Sequence, residues 1–175
     1  FRYSDPMAAA DNALTFRAVV NTIAVQSGLA ADFSPKPLPG QPGNGMHINI
    51  SARSRDGRDV MPQVIAGILA HIAEMTVFFN TTESSYQRFG SSKAPRYISW
   101  SSENRSQLIR IPAAKGEYRR AELRSPDPLC NPYLAFALLI HAGLDCIKKN
   151  VPLPEAADIN FFTAPESVKS KFRTL

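Results

Sequence analysis

Apolar residues recur at helical spacing in three stretches of the chain. Ser4-Asp5-Pro6 supplies a capping side chain and a first-turn proline. The alanine-rich run after it, with Leu14, Val19, Val20 and Ile23, predicts a helix continuing to Gly28. A second helix is predicted from Asp59 and Pro62 through Phe79, where Val64, Ile65, Ile68, Leu69, Ile72 and Met75 repeat with His71 and Glu74 interspersed. Asn131-Pro132 opens a third, ending near Lys149 with two lysines suited to the carbonyl end of a helix. Elsewhere the period falls to two. Met46 to Ser51 alternates strictly, so a strand there places Met46, Ile48 and Ile50 on one face and His47, Asn49 and Ser51 on the other. Gln107 to Pro112 and Tyr118 to Ser125 read as two further strands joined by residues 113–117. In the second, Arg120, Glu122 and Arg124 share a face, with Ala121 and Leu123 opposite. Pro35, Pro37, Pro39, Gly40, Pro42 and Gly43 restrict residues 30–44 to an extended segment and a tight loop. Residues 80–104 are polar and read as one long loop, a feature usually kept for function, and the tail from Val151 has prolines and a short amphipathic end.

Composition narrows the classes. With 175 residues, 44% of them apolar and 20% charged, the chain can bury a core, which excludes a disordered or collagen-like chain. The longest unbroken apolar run, Tyr133 to Ile140, is far short of the roughly 20 residues that cross a bilayer, so no membrane partner is expected. Phe1-Arg2-Tyr3-Ser4-Asp5 fits neither a signal nor a transit peptide and reads as an internal cut. Cys130 and Cys146 lie in apolar helical context without metal-site spacing, which predicts buried thiols in a reducing compartment.

Charge is uneven along the chain. Between Arg88 and Arg124 nine basic residues face three acidic ones, leaving 11 basic and 12 acidic residues elsewhere. Seven of the nine are arginine, the residue suited to bidentate recognition of phosphate or carboxylate, so a compact anionic ligand is implied. A nucleic-acid patch is the competing interpretation, disfavoured because the arginines alternate with Ile109, Ile111, Ala121 and Leu123 on strands that look half buried.

His71 and His141 fall within apolar helical runs and are expected to be satisfied core or interface histidines. His47 follows the glycine-rich turn Gly43-Asn44-Gly45 and shares a strand face with Asn49 and Ser51, which makes it a candidate ligand. Glu122, flanked at two-residue spacing by arginines, is either a rung of an ion-pair ladder or the acid of a site. One imidazole and one carboxylate suit a hard divalent ion that also takes phosphate oxygens. No serine-nucleophile elbow, P-loop or dinucleotide-binding glycine motif is present.

Three long segments carry a resemblance. PKPLPGQPGNGMHINIS (Pro35 to Ser51), NRSQLIRIP (Asn104 to Pro112) and RRAELRSPDPLCNPYLAFALLIHAGLD (Arg119 to Asp145) resemble, in order and spacing, the catalytic domain of glutamine synthetase. The resemblance covers essentially the whole chain. It implies an α+β fold in which a curved antiparallel β-sheet is covered on its outer face by helices, and it makes residues 1–175 the C-terminal portion of that domain. The N-terminal β-grasp domain and the upstream segment with further metal-binding glutamates would lie outside it. His47 and Glu122 match metal ligands; Gly43, Arg88 and Arg124 match glutamate-binding positions. Arg105 and Arg110 match phosphate-holding arginines, with Arg105 among the catalytic positions, and Asn49, Ser51 and Arg120 match positions that touch ATP. The implied reaction is glutamine formation from glutamate, ATP and ammonia through γ-glutamyl phosphate, with Mg2+ or Mn2+ as cofactor. The implied setting is a cytoplasmic homo-oligomeric ring with intersubunit active sites and no nucleic-acid partner. The isolated chain is expected to be inactive.

The sequence departs from the family pattern at several positions. Lys93, in Ser91-Ser92-Lys93-Ala94-Pro95, stands at the flap position where the family has a glutamate that helps deprotonate ammonium. A cation there repels ammonium, which raises two alternatives: a γ-glutamyl-amine ligase with another acceptor, or a catalytically inactive regulatory or assembly protein. Pro42 replaces a frequent asparagine, Asn49 replaces the second histidine of a His-x-His, and Phe162 falls where adenylylated relatives carry the modified tyrosine.

Overall fold

A computed structural model of the chain describes residues 2–91, 93–113 and 120–175. In chain order they form α1 (Pro6–Gln26), β1 (Ile48–Ile50), α2 (Met61–Phe79), α3 (Glu83–Arg88), β2 (Trp100–Ser102), β3 (Ile109–Ile111), β4 (Ala121–Leu123), α4 (Pro132–Lys149) and α5 (Glu166–Lys169).

The long helices begin where capping chemistry places them. The Asp5 carboxylate accepts from the N–H groups of Met7 and Ala8 at 3.0 and 3.1 Å, and Asn131 accepts from Tyr133 and Leu134 at 3.0 and 3.3 Å. α1 stops at Gln26; Gly28 takes φ +70°, the left-handed conformation that closes a helix end. α2 is long and apolar enough by length and composition to cross a membrane, a measure that picks it out rather than the 133–140 run. In this fold it is a core helix: Val64, Ile65, Ile68, Leu69, Ile72, Met75 and Phe79 are all buried.

The four strands are ordered β1-β4-β3-β2. β4 pairs antiparallel with β1 and β3, as the alternating patterns suggest, whereas β2 runs parallel to β3. The α+β sheet is therefore antiparallel from β1 through β4 to β3 and gains one parallel edge strand in β2. β2 also lies inside the expected 80–104 loop, as does α3, whose start is closed by reciprocal bonds between Thr82 and Ser85. The connection expected at 113–117 falls largely outside the described residues.

One core joins α2 and α4 to Ile48, Ile109 and Leu123 of the sheet. α2 and α4 approach most closely at Gly67, where an added Cβ would stand 2.1 Å from the Ala142 carbonyl oxygen. Both cysteines are free and buried; burial, with Asp127 adding to it, pushes the Cys130 thiol up to about 12. His71 is only half-buried at the α2–α4 rim, with Nε2 3.2 Å from Asp145 Oδ2. His141 is exposed, facing outward on α4 with Ala137 and Leu144, which excludes the core position among the two expected for it.

Gly67→Ala sets two effects against each other. Alanine gains about 1 kcal/mol in helix propensity, but the obstructing atom belongs to the backbone and cannot swing aside. We expect a net loss of about 1–3 kcal/mol, read as a lower urea midpoint; an unchanged or higher midpoint would contradict the close α2–α4 approach.

Candidate active site

Strand register builds the site. Asn49 lies opposite Glu122, Glu122 opposite Arg110, and Arg110 opposite Ser101, so one row of the sheet is polar from edge to edge. The neighbouring row, Ile48, Leu123, Ile109 and Trp100, turns to the core side.

Glu122 is the hub of the polar row. Oε1 lies 3.1 Å from His47 Nδ1, Oε2 accepts from Arg110 Nε at 2.6 Å, and Arg124 Nε stands 4.0 Å from Oε2. Burial alone would raise this carboxyl, but the hydrogen bonds from His47 and Arg110 outweigh it and hold it down at about 2. A cleft of about 350 Å³ opens beside it. His47, Arg110, Glu122 and Arg124 form one side, Arg88, Ser91 and Lys93 the loop side, and Gly43 and Gly45 another edge, with Arg105 also lining it.

The arginines divide by what they touch. Arg88, 2% exposed, donates Nη1 to the Ser125 carbonyl at 2.7 Å and Nη2 to those of Arg124 and Pro126 at 3.0 and 3.3 Å. Burial pulls its pKa down to about 10, with Asp127 opposing, so it stays charged at neutral pH. Arg124, 3% exposed, donates Nη2 to the Lys93 carbonyl at 3.0 Å. Its buried Nε has no hydrogen-bond partner among the described residues. Burial also lowers the pKa of Arg124, with Glu122 opposing. Two cations of the basic stretch, Arg88 and Arg124, are thus buried in the cleft lining rather than solvated.

The structure brings together nine of the residues singled out by sequence: Pro42, Gly43, His47, Arg88, Lys93, Arg105, Arg110, Glu122 and Arg124. It sets Asn49, Ser51 and Arg120 apart from that lining. Arg120 Nε donates to Asn49 Oδ1 at 2.8 Å, and Ser51 is exposed past the end of β1. Gly43 needs its lack of a side chain, since a Cβ would meet the Pro35 carbonyl oxygen at 2.3 Å and the Arg88 stem at 3.0 Å.

Sequence reasoning misses the platform beneath the cleft. Asn80, fully buried at the end of α2, donates Nδ2 to the Ser125 carbonyl at 2.9 Å and to Asp127 Oδ2 at 3.2 Å. Asp127 also receives the Leu129 N–H at 2.9 Å. The proline-flanked Ser125-Pro126-Asp127-Pro128 segment was the available signal, because its backbone cannot join a sheet and must find other partners.

Fold and site together define an α+β protein whose polar sheet row opens into a guanidinium-lined cleft. The whole chain, residues 1–175, matches the family described as glutamine synthetase, catalytic domain, and belongs to it. It is 47% identical over 176 residues to glutamine synthetase of Methanosarcina mazei, covering 93% of this chain and 39% of that protein. Against the Thermus thermophilus glutamine synthetase it is 42% identical, covering 100% of this chain and 43% of the relative. A solved GmaS/ADP complex superposes with a TM-score of 0.87 at 29% identity, over 100% of this chain and 44% of that one. The chain thus spans roughly 40% of the length of the curated relatives it matches.

Arg88→Met would strip donors from the carbonyls of Arg124, Ser125 and Pro126. Unsatisfied buried groups cost about 1–3 kcal/mol each, so urea unfolding should show a loss of at least about 2 kcal/mol. The exposed Lys93→Met should stay within about 0.5 kcal/mol. Equal midpoints for the two variants would remove Arg88 from its structural role.

Proposed function

We propose that the full-length protein is an ATP-dependent ligase that joins glutamate to ammonia through γ-glutamyl phosphate, and that residues 1–175 are the C-terminal part of its catalytic domain. The observation that carries this reading is the Glu122 carboxylate, held ionised between His47 and Arg110 at the wall of an arginine-lined cleft.

The donor set fits a hard divalent ion, Mg2+ or Mn2+. His47 Nδ1 and Glu122 Oε1 stand 3.1 Å apart as hydrogen-bond partners; once the imidazole nitrogen gives up that proton to the solvent, the two would be neighbouring donors at the spacing of about 3 Å that cis positions on an octahedral ion require. The described residues contain no group of three or more His, Cys, Asp and Glu side chains placed for a metal. These two would therefore share the ion with phosphate oxygens, water and residues beyond the chain. When bound, such an ion supplies charge neutralisation to the nucleotide's phosphates.

The chain's own residues do the positioning. Arg105 and Arg110 hold phosphate oxygens by charge-assisted hydrogen bonds as the γ-phosphoryl group moves to glutamate. Arg124, with an unsatisfied buried donor, receives a glutamate carboxylate in the region bordered by Gly43 and Arg88. Asn49, Ser51 and Arg120 extend the polar edge toward the nucleotide. Ammonia then attacks the γ-carbonyl carbon and the phosphate leaves. The working assembly is a cytoplasmic homo-oligomeric ring with sites completed between subunits.

Lys93 favours a second reading. Lys93 lines the cleft, and a cation there would repel an ammonium ion, which supports a different amine as acceptor or a non-catalytic regulatory or assembly role.

In the full-length protein, His47→Ala or Glu122→Ala should abolish divalent-metal-dependent nucleotide binding, measured with a fluorescent ATP analogue. His71→Ala should change only thermal stability. Full nucleotide binding by both cleft variants would refute the site assignment. Phosphate release with glutamate, ATP and a panel of amines separates the acceptors. Use of ammonia unchanged by Lys93→Glu would dismiss the second reading, and release with no amine would favour the non-catalytic role.

A further inference from the structure

A second cavity, also about 350 Å³, lies behind the loop that carries Arg88 and Lys93. One wall is formed by Phe89, Gly90, Ala94, Arg96 and Tyr97, and the other by side chains between Phe161 and Thr174. We propose that this cavity binds a planar aromatic carboxylate, and that its occupancy is transmitted to the substrate cleft through the wall the two cavities share.

Its chemistry is that of an amphipathic anion site. Tyr97 stacks on Phe161 with centroids 4.8 Å apart, and Phe172 meets Phe161 edge-on at 4.9 Å. Phe162, 40% exposed, adds an aromatic surface without a ring partner among the described residues. Within a largely polar lining, the exposed Phe162 ring offers a face on which a planar ring can stack. Arg96 lies over Gly90, where an added Cβ would come within 3.2 Å of its Cδ, and Lys169 projects from the opposite wall. Neither side chain makes an ion pair among the described residues. Two cations against the single acid Glu166 select an anion, and a guanidinium favours the forked geometry of a carboxylate.

The shared wall supplies the coupling. Ala94 lines both cavities, and Phe89 and Ser106 on the aromatic side directly follow Arg88 and Arg105 on the cleft side. The Ile98 N–H donates to the Arg173 carbonyl at 2.8 Å and the Leu175 N–H to the Arg96 carbonyl at 3.0 Å, so the two walls are clasped at one end. The same loop offers the Lys93 carbonyl to Arg124. A ligand gripping Arg96 therefore restrains the segment that holds a cleft arginine in place.

The test is titration calorimetry on the full-length protein with indole-3-acetate as the probe, and with indole and tryptamine as its neutral and cationic counterparts. Saturable binding of the acid is expected, about tenfold weaker for both counterparts and for Arg96→Gln, and it should persist under saturating ATP with a shifted affinity, since coupling between two sites is reciprocal. Deuterium uptake at residues 89–97 should slow when the acid is bound. Phe162→Ala, at a partly exposed ring, should also weaken binding while leaving thermal stability unchanged. Absence of binding at millimolar probe, equal affinity in Arg96→Gln, loss of binding on adding ATP, or unchanged uptake at 89–97 would each overturn the proposal. Binding and exchange are read without turnover, so they fail or succeed independently of the ligase assignment.

Discussion

The site depends on one carboxylate serving several cations. Glu122 sits on the central row of the sheet and is hydrogen-bonded to His47 from one side and Arg110 from the other, with Arg124 slightly beyond. Such an arrangement is poor value as a stabilising device, since replacing a buried ion cluster by apolar side chains is often neutral or better. Its presence makes sense where a concentrated, correctly oriented field is needed: the acid keeps mutually repelling guanidinium groups together along one wall of the cleft.

The two faces of the sheet divide the labour. Ile48, Leu123 and Ile109 anchor the strands to α2 and α4, and the adjoining row presents Asn49, Glu122 and Arg110. Behind the cleft, Arg88 ties three successive carbonyls after β4, and Asn80 ties one of them again from the end of α2. Side-chain donors there replace the ladder bonds that the prolines at 126 and 128 interrupt. The helical core thereby fixes where Arg124 emerges.

Much of this is legible in the sequence because it follows from periodicity and local caps. The three long helices announce themselves through Asp5, Pro62 and Asn131 and through apolar spacing, and strict alternation correctly separates His47 and Glu122 from Ile48 and Leu123. The parallel β2–β3 pair is not legible, because strand direction is set by how distant segments dock. α3 escapes notice because six residues, closed by Thr82 and Ser85, carry no apolar repeat. Arg88 shows the limit at the site itself: its residue type suggests a ligand, and only coordinates reveal that its Nη groups are engaged with carbonyls.

The strict alternation of the polar and apolar rows also polices strand alignment. Sliding β4 by a single residue against β1 would drive Glu122 in among Ile48, Ile109 and the α2 side chains, and would turn Leu123 out to face the guanidinium groups. Both errors carry a heavy penalty, one for an unpartnered buried anion and the other for arginines stripped of their counter-ion. The charges that equip the cleft thus also specify strand alignment, because a slipped register is energetically disfavoured on both faces of the sheet.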